Sequence, residues 1–406
     1  MNAAFQPGHP DFPPGRAAAL ARLAGVAADD YARTRNYLDG QVTGLSPYLT
    51  HGLLGLDEAV AHARMVLALE GRHKLINEFG WRAYWQHVFR HLHADGIRVP
   101  RQPPPAPAST YAERVPADVR EARTGLTVID ASVRMLYDTG YVHNHARMWL
   151  ASYLVHQRRV DWRAGADWMI GHLLDGDLAS NTLSWQWVAG TWTGKPYLFN
   201  DENVARFAPP LAQPGSVLDR SYEEMARRAA HGALGGLPAP VGRCAGVDEP
   251  GVADAPPAAL LAEYPLLDIA SLAAFDDQPL LCRHPFAIGW RADESAAAVG
   301  VLVTEWHRQH RWSPRRWRFV LQSLARGGQP IVMASRAQWT HWLAGRRAPV
   351  FWPTDEHLAD SWPRASVRLP MLIEVARRTP FAEPAGLQAS FSAWWRAVQR
   401  AGPFDG

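Results

Sequence analysis

Residues 161–200 read DWRAGADWMIGHLLDGDLASNTLSWQWVAGTWTGKPYLFN, and three compact motifs lie in order inside them: DWR at 161–163, DGDLASN at 175–181 and WQW at 185–187. The chain has eighteen tryptophans, and many fall in such motif-dense segments. At this density, bulky aromatics serve either a packed core or a protein that stacks planar rings. Outward from this stretch, between Arg16 and about Leu198, apolar residues recur mostly at helical spacing. Examples are Trp81, Tyr84, Trp85, Val88 and Phe89, then Val133, Leu136 and Tyr137. This half reads as mainly α. Its clear interruption is PRQPPPAPA at 100–108, an extended surface loop, because proline cannot sit inside a helix.

A second break covers residues 209–257, where Gly and Pro punctuate short helical pieces such as 222–230, and it reads as an inter-domain connection. Beyond it, apolar runs alternate with amphipathic ones. VGVLV at 299–303 is followed by PRRWRFVLQSLA at 314–325, then by 331–333, a further helical piece and 349–352. That alternation predicts a small α/β domain. No glycine fingerprint for phosphate lies near those strands, and Trp306, Trp317, Trp339 and Trp342 read as packing. The expected division is therefore a helical domain over 1–208, a Pro/Gly/Ala-rich connection over 209–258 and an α/β domain over 259–406.

Composition narrows the function classes. With 406 residues, 47% of them hydrophobic, the chain can bury two cores. A net charge of +3 permits a nucleic-acid partner without announcing one. Cys244 and Cys282 are the only cysteines, too few for a disulfide framework, a four-cysteine zinc site or an iron–sulfur cluster, and a reducing cytoplasm is the expected location. The proline-studded N-terminus lacks a signal-peptide core, and no run reaches the length of a membrane span, so no membrane partner is expected.

The DWR, DGDLASN and WQW motifs, in that order and spacing, resemble the signature of the DNA photolyase and cryptochrome family. Three more segments follow the family order: LSPYLTHG at 45–52, EFGWR at 78–82 and YVHNHARMW at 141–149. The resemblance implies an all-helical FAD-binding domain followed here by the smaller α/β domain. It covers about residues 16–208 and implies FAD as the one cofactor; no motif supports an antenna chromophore. Only about thirty residues precede Tyr31, so the chain is expected to be a short member without the family's N-terminal antenna domain. The C-terminal α/β part is a candidate rearranged or independently acquired counterpart of that domain. A structure without a parallel sheet in 259–406 would refute this.

The resemblance also implies site residues. Thr43, Gly44, Leu45 and Ser46, with Tyr31 upstream, would hold the flavin phosphates; backbone amides and hydroxyls at a helix start suit a pyrophosphate. Taken alone, Ser46-Pro47 reads better as a helix cap; the order and company of the other motifs favour the phosphate role. Arg82, Asn144, Arg147, Asp175, Asp177 and Asn181 would contact the flavin, with Arg147 and Asp175 as an ion pair beside the ring and Asn181 facing N5. A buried pair of this kind can also be purely structural. Trp185 and Trp162 match the first two stations of the family's electron relay, whereas Val119 stands at the third, where an aliphatic side chain cannot serve. Trp149, Trp168 or Trp192 would have to replace it.

Glu78, Trp81, Met148 and Trp187 would line a pocket for a cyclobutane pyrimidine dimer, with Trp81 and Trp187 gripping the flipped dimer. The histidine pair of the (6-4) enzymes falls on Asn144 and Met148, so His143 and His145 are not that pair. Val42 departs from the usual Thr, Trp85 stands for a DNA-contacting Tyr and His145 for an Arg that holds the DNA backbone. The phosphate anchors are thus thinned. The function expected is light-driven electron transfer from reduced FAD to dimers in damaged DNA, that is, a deoxyribodipyrimidine-photolyase-like lyase. The alternatives are a cryptochrome-like blue-light receptor without repair activity, with a protein partner on the C-terminal domain, and a non-photochemical flavoprotein or DNA-binding protein.

Overall fold

A computed structural model of the chain describes residues 11–231, 245–289, 297–354, 371–376 and 378–402. Cys244 lies outside them. The chain forms two compact units that interleave in sequence, one holding residues 29–42 and 95–250 and the other 12–28, 43–94 and 251 onward. Segments 12–28 and 43–94, expected with the helical domain, therefore group with the C-terminal part.

The first unit is helical. Its centre is built from helices Thr127–Thr139, Asn144–Ser152, Trp162–His172 and Leu178–Ala189. Local chemistry sets their ends. Asp161 and Asp177 accept from backbone amides of the first turn at Arg163 and Ser180, the side-chain caps that orphan N–H groups require. Gly140 and Gly190 close two of the helices in the left-handed conformation, at φ 69° and 79°. The Leu178–Ala189 helix packs on both Trp162–His172 and Asn144–Ser152. One apolar cluster fills the unit, with Ile129, Val133, Leu136, Trp149, Leu154, Leu173 and Phe199 fully buried. The 100–108 stretch is irregular and mostly exposed, as its prolines dictate. Within the expected connection, Leu211, Leu218 and Met225, the last on helix Tyr222–His231, are buried in the same cluster, so the described residues 209–231 pack as part of this unit.

The second unit holds a five-stranded sheet: β1 (Leu280–Arg283), β2 (Ala297–Val303), β3 (Ile331–Ala334), β4 (Val350–Thr354) and β5 (Leu372–Ala376). The order is β3-β2-β1-β4-β5, with every neighbouring pair parallel. This is a doubly wound arrangement whose order reverses direction at β1. The expected parallel sheet in 259–406 is present, and the expected runs at 299–303, 331–333 and 349–352 fall on β2, β3 and β4. Val299, Val301 and Leu302 are fully buried, as expected of a strand covered on both faces. Helices Pro314–Ala325 and Arg336–Ala344 start on Ser313 and Ser335 caps. Trp317 and Trp339 are fully buried and Trp306 nearly so, while Trp342 is half-buried.

The unit's longest helix, Lys74–Gly96, is helical as far as His93, where φ turns to 57°. Against it packs helix Phe391–Arg400: Trp395 occupies the space a Cβ on Gly80 would take, at 2.5 Å, and Tyr84 lies 6.1 Å from Trp394, ring to ring.

Candidate functional site

In the helical unit, Asn144, Arg147, Met148, Asp175, Asn181 and Trp185 line one cavity of about 130 Å³. Six of the expected site residues thus share a wall. They come from the Asn144–Ser152 helix, the 173–177 turn and the Leu178–Ala189 helix, and converge because those helices pack on each other. Sequence reasoning missed Ser180, Ser184 and Val188, which line the same cavity. Ser184 stands three residues from Asn181, Val188 three from Trp185 and Ser180 four from Ser184, so helical spacing links them to the expected face and could have found them.

The wall's electrostatics centre on Arg147. Its Nη2 donates to both Asp175 oxygens, at 2.9 and 2.8 Å, and its Nε donates to the Val142 carbonyl at 2.6 Å. The Asp175 side chain is only 3% exposed and that of Arg147 23%, so the pair sits largely out of water, where a charge needs its partner. Asn181 Nδ2 donates to the Ala166 carbonyl at 3.0 Å, which orients the amide and leaves Oδ1 to accept. Asn144 Nδ2 contacts Met148 Sδ at 3.7 Å. Ser180 Oγ is buried on this wall without a hydrogen-bond partner, a donor that a ligand can satisfy. Asp177 lies just outside the wall, its carboxylate engaged as the helix cap, 2.6 Å from the Ser180 amide.

Behind the wall, Trp185 and Trp162 belong to the same buried cluster. Trp185 packs against the Trp162–His172 helix at Gly165, where an added Cβ would sit 2.4 Å from the indole. Val119, which stands where the resemblance would put the third relay station, is wholly buried. Trp187 does not line the cavity and instead packs, tilted by 32°, against Tyr197, with ring centroids 5.8 Å apart. His143 caps the Asn144–Ser152 helix by accepting the His145 amide on Nδ1. Burial, then the neighbouring His145 and Arg147, push its pKa down to about 4, so the ring stays neutral and able to accept. His145 is buried between the rings of Trp149 and Phe207, at 4.8 and 4.6 Å, and burial lowers its pKa as well. Such a side chain makes no phosphate anchor. Tyr31 sits in helix Ala28–Thr34, half-buried.

The remaining expected residues belong to the sheet-containing unit. Glu78, Trp81 and Trp85 follow one face of the Lys74–Gly96 helix, where Lys74 pairs with Glu78 at 3.1 Å. Arg82 Nη2 donates to Thr50 Oγ1 at 3.2 Å. Trp81 does not stand open: Phe391 stacks on it with ring centroids 4.1 Å apart and planes 11° from parallel. Trp85 is buried. In the 43–46 loop, Gly44 takes φ 60° and lies against Arg22, Thr43 Oγ1 accepts the Leu45 amide, and Ser46 opens the short helix Ser46–Thr50.

Residues 75–219 match the family model described as the FAD binding domain of DNA photolyase. Among curated proteins, the chain is 34% identical over 216 residues to the deoxyribodipyrimidine photo-lyase of a Synechococcus strain, covering 48% of this chain and 43% of that one. To the Streptomyces griseus protein of the same name it is 36% identical over 233 residues, covering 52% and 48%. The chain thus spans about half the length of these relatives. Among solved structures, it is 30% identical to an archaeal photolyase from Sulfolobus tokodaii, covering 50% of this chain and 46% of that one with a TM-score of 0.42. The resemblance read from the motifs is shown over the matched segment, which draws on both units. Among the described residues no helix is long and apolar enough to cross a membrane.

Proposed function

We propose that this chain, which carries the FAD-binding domain of the DNA photolyase family over residues 75–219, is a light-driven lyase that binds FAD and splits cyclobutane pyrimidine dimers in DNA. The observation that carries the reading is the cavity wall. An oriented amide at Asn181, a buried Arg147–Asp175 pair, an unsatisfied hydroxyl at Ser180 and an indole at Trp185 suit a polar heteroaromatic ring system. FAD bound there in its reduced form would supply the electron that light drives onto the dimer. The protein's part is to hold that ring and to tune it: Arg147 keeps positive charge at the wall, and Asn181, a neutral amide, delivers no proton as an acid would. Trp185 on the wall and Trp162 in the same core would be the first two stations that hand an electron inward. Glu78 would hydrogen-bond a dimer carbonyl, and Trp81 and Trp187 would stack on the two bases. The five-stranded parallel sheet supports the reading of the C-terminal part as a rearranged counterpart of the family's antenna domain.

A second reading, a blue-light receptor without repair activity, is favoured by the Phe391 stack on Trp81 and by Val119 at the relay's third position. For repair, one base of the dimer would have to take Phe391's place on Trp81; stacking a base contributes roughly 1–3 kcal/mol, the same order as an aromatic pair, and Phe391 also packs on Tyr84, Trp394 and Trp395, so the Phe391→Ala arm of the test decides between the two readings.

The test is repair of a thymine-dimer oligonucleotide by the reduced protein under blue light, with dark, Trp81→Ala and Phe391→Ala arms. Light-dependent repair that Trp81→Ala loses, and that Phe391→Ala leaves intact or raises, supports the lyase. Flavin that is bound and photoreducible, with no dimer split even in Phe391→Ala, overturns the lyase reading in favour of the receptor.

A further inference from the structure

Away from the cavity, in the sheet-containing unit, His87, His91 and Glu383 each bring one ligand atom within 4.8 Å of the others. His87 and His91 stand four residues apart on the Lys74–Gly96 helix, before it turns at His93, so they share a face one turn apart. Glu383 comes from the irregular segment ahead of the Phe391–Arg400 helix. Neither the family resemblance nor the proposed lyase chemistry uses any of the three.

We infer that His87, His91 and Glu383 form a binding site for a divalent transition-metal ion of the zinc class, which fastens the segment around Glu383 to the Lys74–Gly96 helix. Two imidazoles and a carboxylate are the donor set that zinc accepts, with a fourth position left for water. The outer contacts have the form that orients metal ligands. His91 Nδ1 donates to the His87 backbone carbonyl at 2.9 Å, which fixes the tautomer and leaves the lone pair on Nε2. Glu383 is held by Arg90, whose Nη2 donates to Oε2 at 2.6 Å, while Oε1 accepts from His87 Nδ1.

His87 is wholly buried, and its Nε2 accepts the Gln388 amide at 3.0 Å, so the neutral ring carries its proton on Nδ1. The metal takes the place of that proton. The proton moves to Nε2, the ring stays neutral, and the Gln388 amide must turn away within an irregular, mostly exposed stretch. His91 and Glu383 are exposed, which gives an ion a path in from solvent.

The test uses the untagged full chain stripped with chelator, titrated with Zn²⁺ against a chromophoric competitor and, separately, with Co²⁺ read by the visible absorption of its four-coordinate form. His91→Ala and Glu383→Gln change exposed side chains, so both variants should fold, and neither residue lies on the cavity wall. One ion per chain is expected, with affinity falling at least about 10-fold in each variant, since even outer-contact mutations cost 10–100-fold. Zn²⁺ should also raise the wild-type unfolding midpoint and leave that of His91→Ala unmoved. No bound ion, or binding undiminished in both variants, overturns the assignment. Failure here leaves the flavin reading untouched, because the two sites share no residue.

Discussion

Gly165→Ala tests the wall of the cavity from behind. An alanine methyl would stand 2.4 Å from the Trp185 indole carbons, whereas carbon atoms rest at about 3.5–4.0 Å, so the indole or the helix must retreat by about 1 Å or more. Neither can do so freely, since Trp185 is 3% exposed and Gly165 lies within a helix that packs on Trp185's own. Overpacking of this kind costs about 1–3 kcal/mol, and the better helix propensity of alanine returns about 1 kcal/mol. The net expectation is a loss of about 0–2 kcal/mol together with a displaced cavity wall. The assay pairs chemical unfolding followed by far-UV circular dichroism with flavin content after gel filtration. Bound flavin should drop more sharply than stability, because Trp185 lines the cavity. A variant that gains about 1 kcal/mol and keeps its full flavin would refute the close approach of Gly165 and Trp185, and with it the geometry of the wall.

Replacing Asp175 with Asn should destabilise the helical unit by about 3 kcal/mol, the low end for a broken buried pair because Arg147 keeps 23% exposure, and should lower flavin retention; a urea melt and the absorbance ratio of flavin to protein read both. Acid should weaken the same unit in a defined window. His143 and His156 are both pushed down to about 4, chiefly by burial, whereas the unfolded chain titrates near 6.5. Because the folded values lie below the unfolded one, the stability is complete above about pH 6.5 and is lost as pH falls towards 4, at about 1.4 kcal/mol per pH unit for each ring. A pH series of melts that stays flat from 6.5 to 4.5 would count against neutral burial of these two histidines.

Much of the site is legible in the sequence, because many of its residues are local in the chain. Asp177 caps its own helix, Gly190 ends it, and positions 181, 184, 185 and 188 share a face by helical periodicity alone. The apolar run of β2 and the serine-capped helices after β2 and β3 are legible for the same reason. Short-range chemistry needs no partner to declare itself.

What the sequence left open depends on residues far apart in the chain. The four residues of β1 carry no readable period, yet β1 is the central strand, because the ladders of β2 and β4 take it up on both sides. Alternation at β5 was likewise too short to stand out until Val350 paired with Leu372. The Lys74–Gly96 helix, whose motif pointed to the helical domain, groups instead with the C-terminal part, where Gly80 gives Trp395 room and Phe391 covers Trp81. Motif spacing reports which residues belong to one turn or one face. Which surface a long-range neighbour covers is decided by packing, because the burial of an aromatic ring depends on what the rest of the chain brings against it.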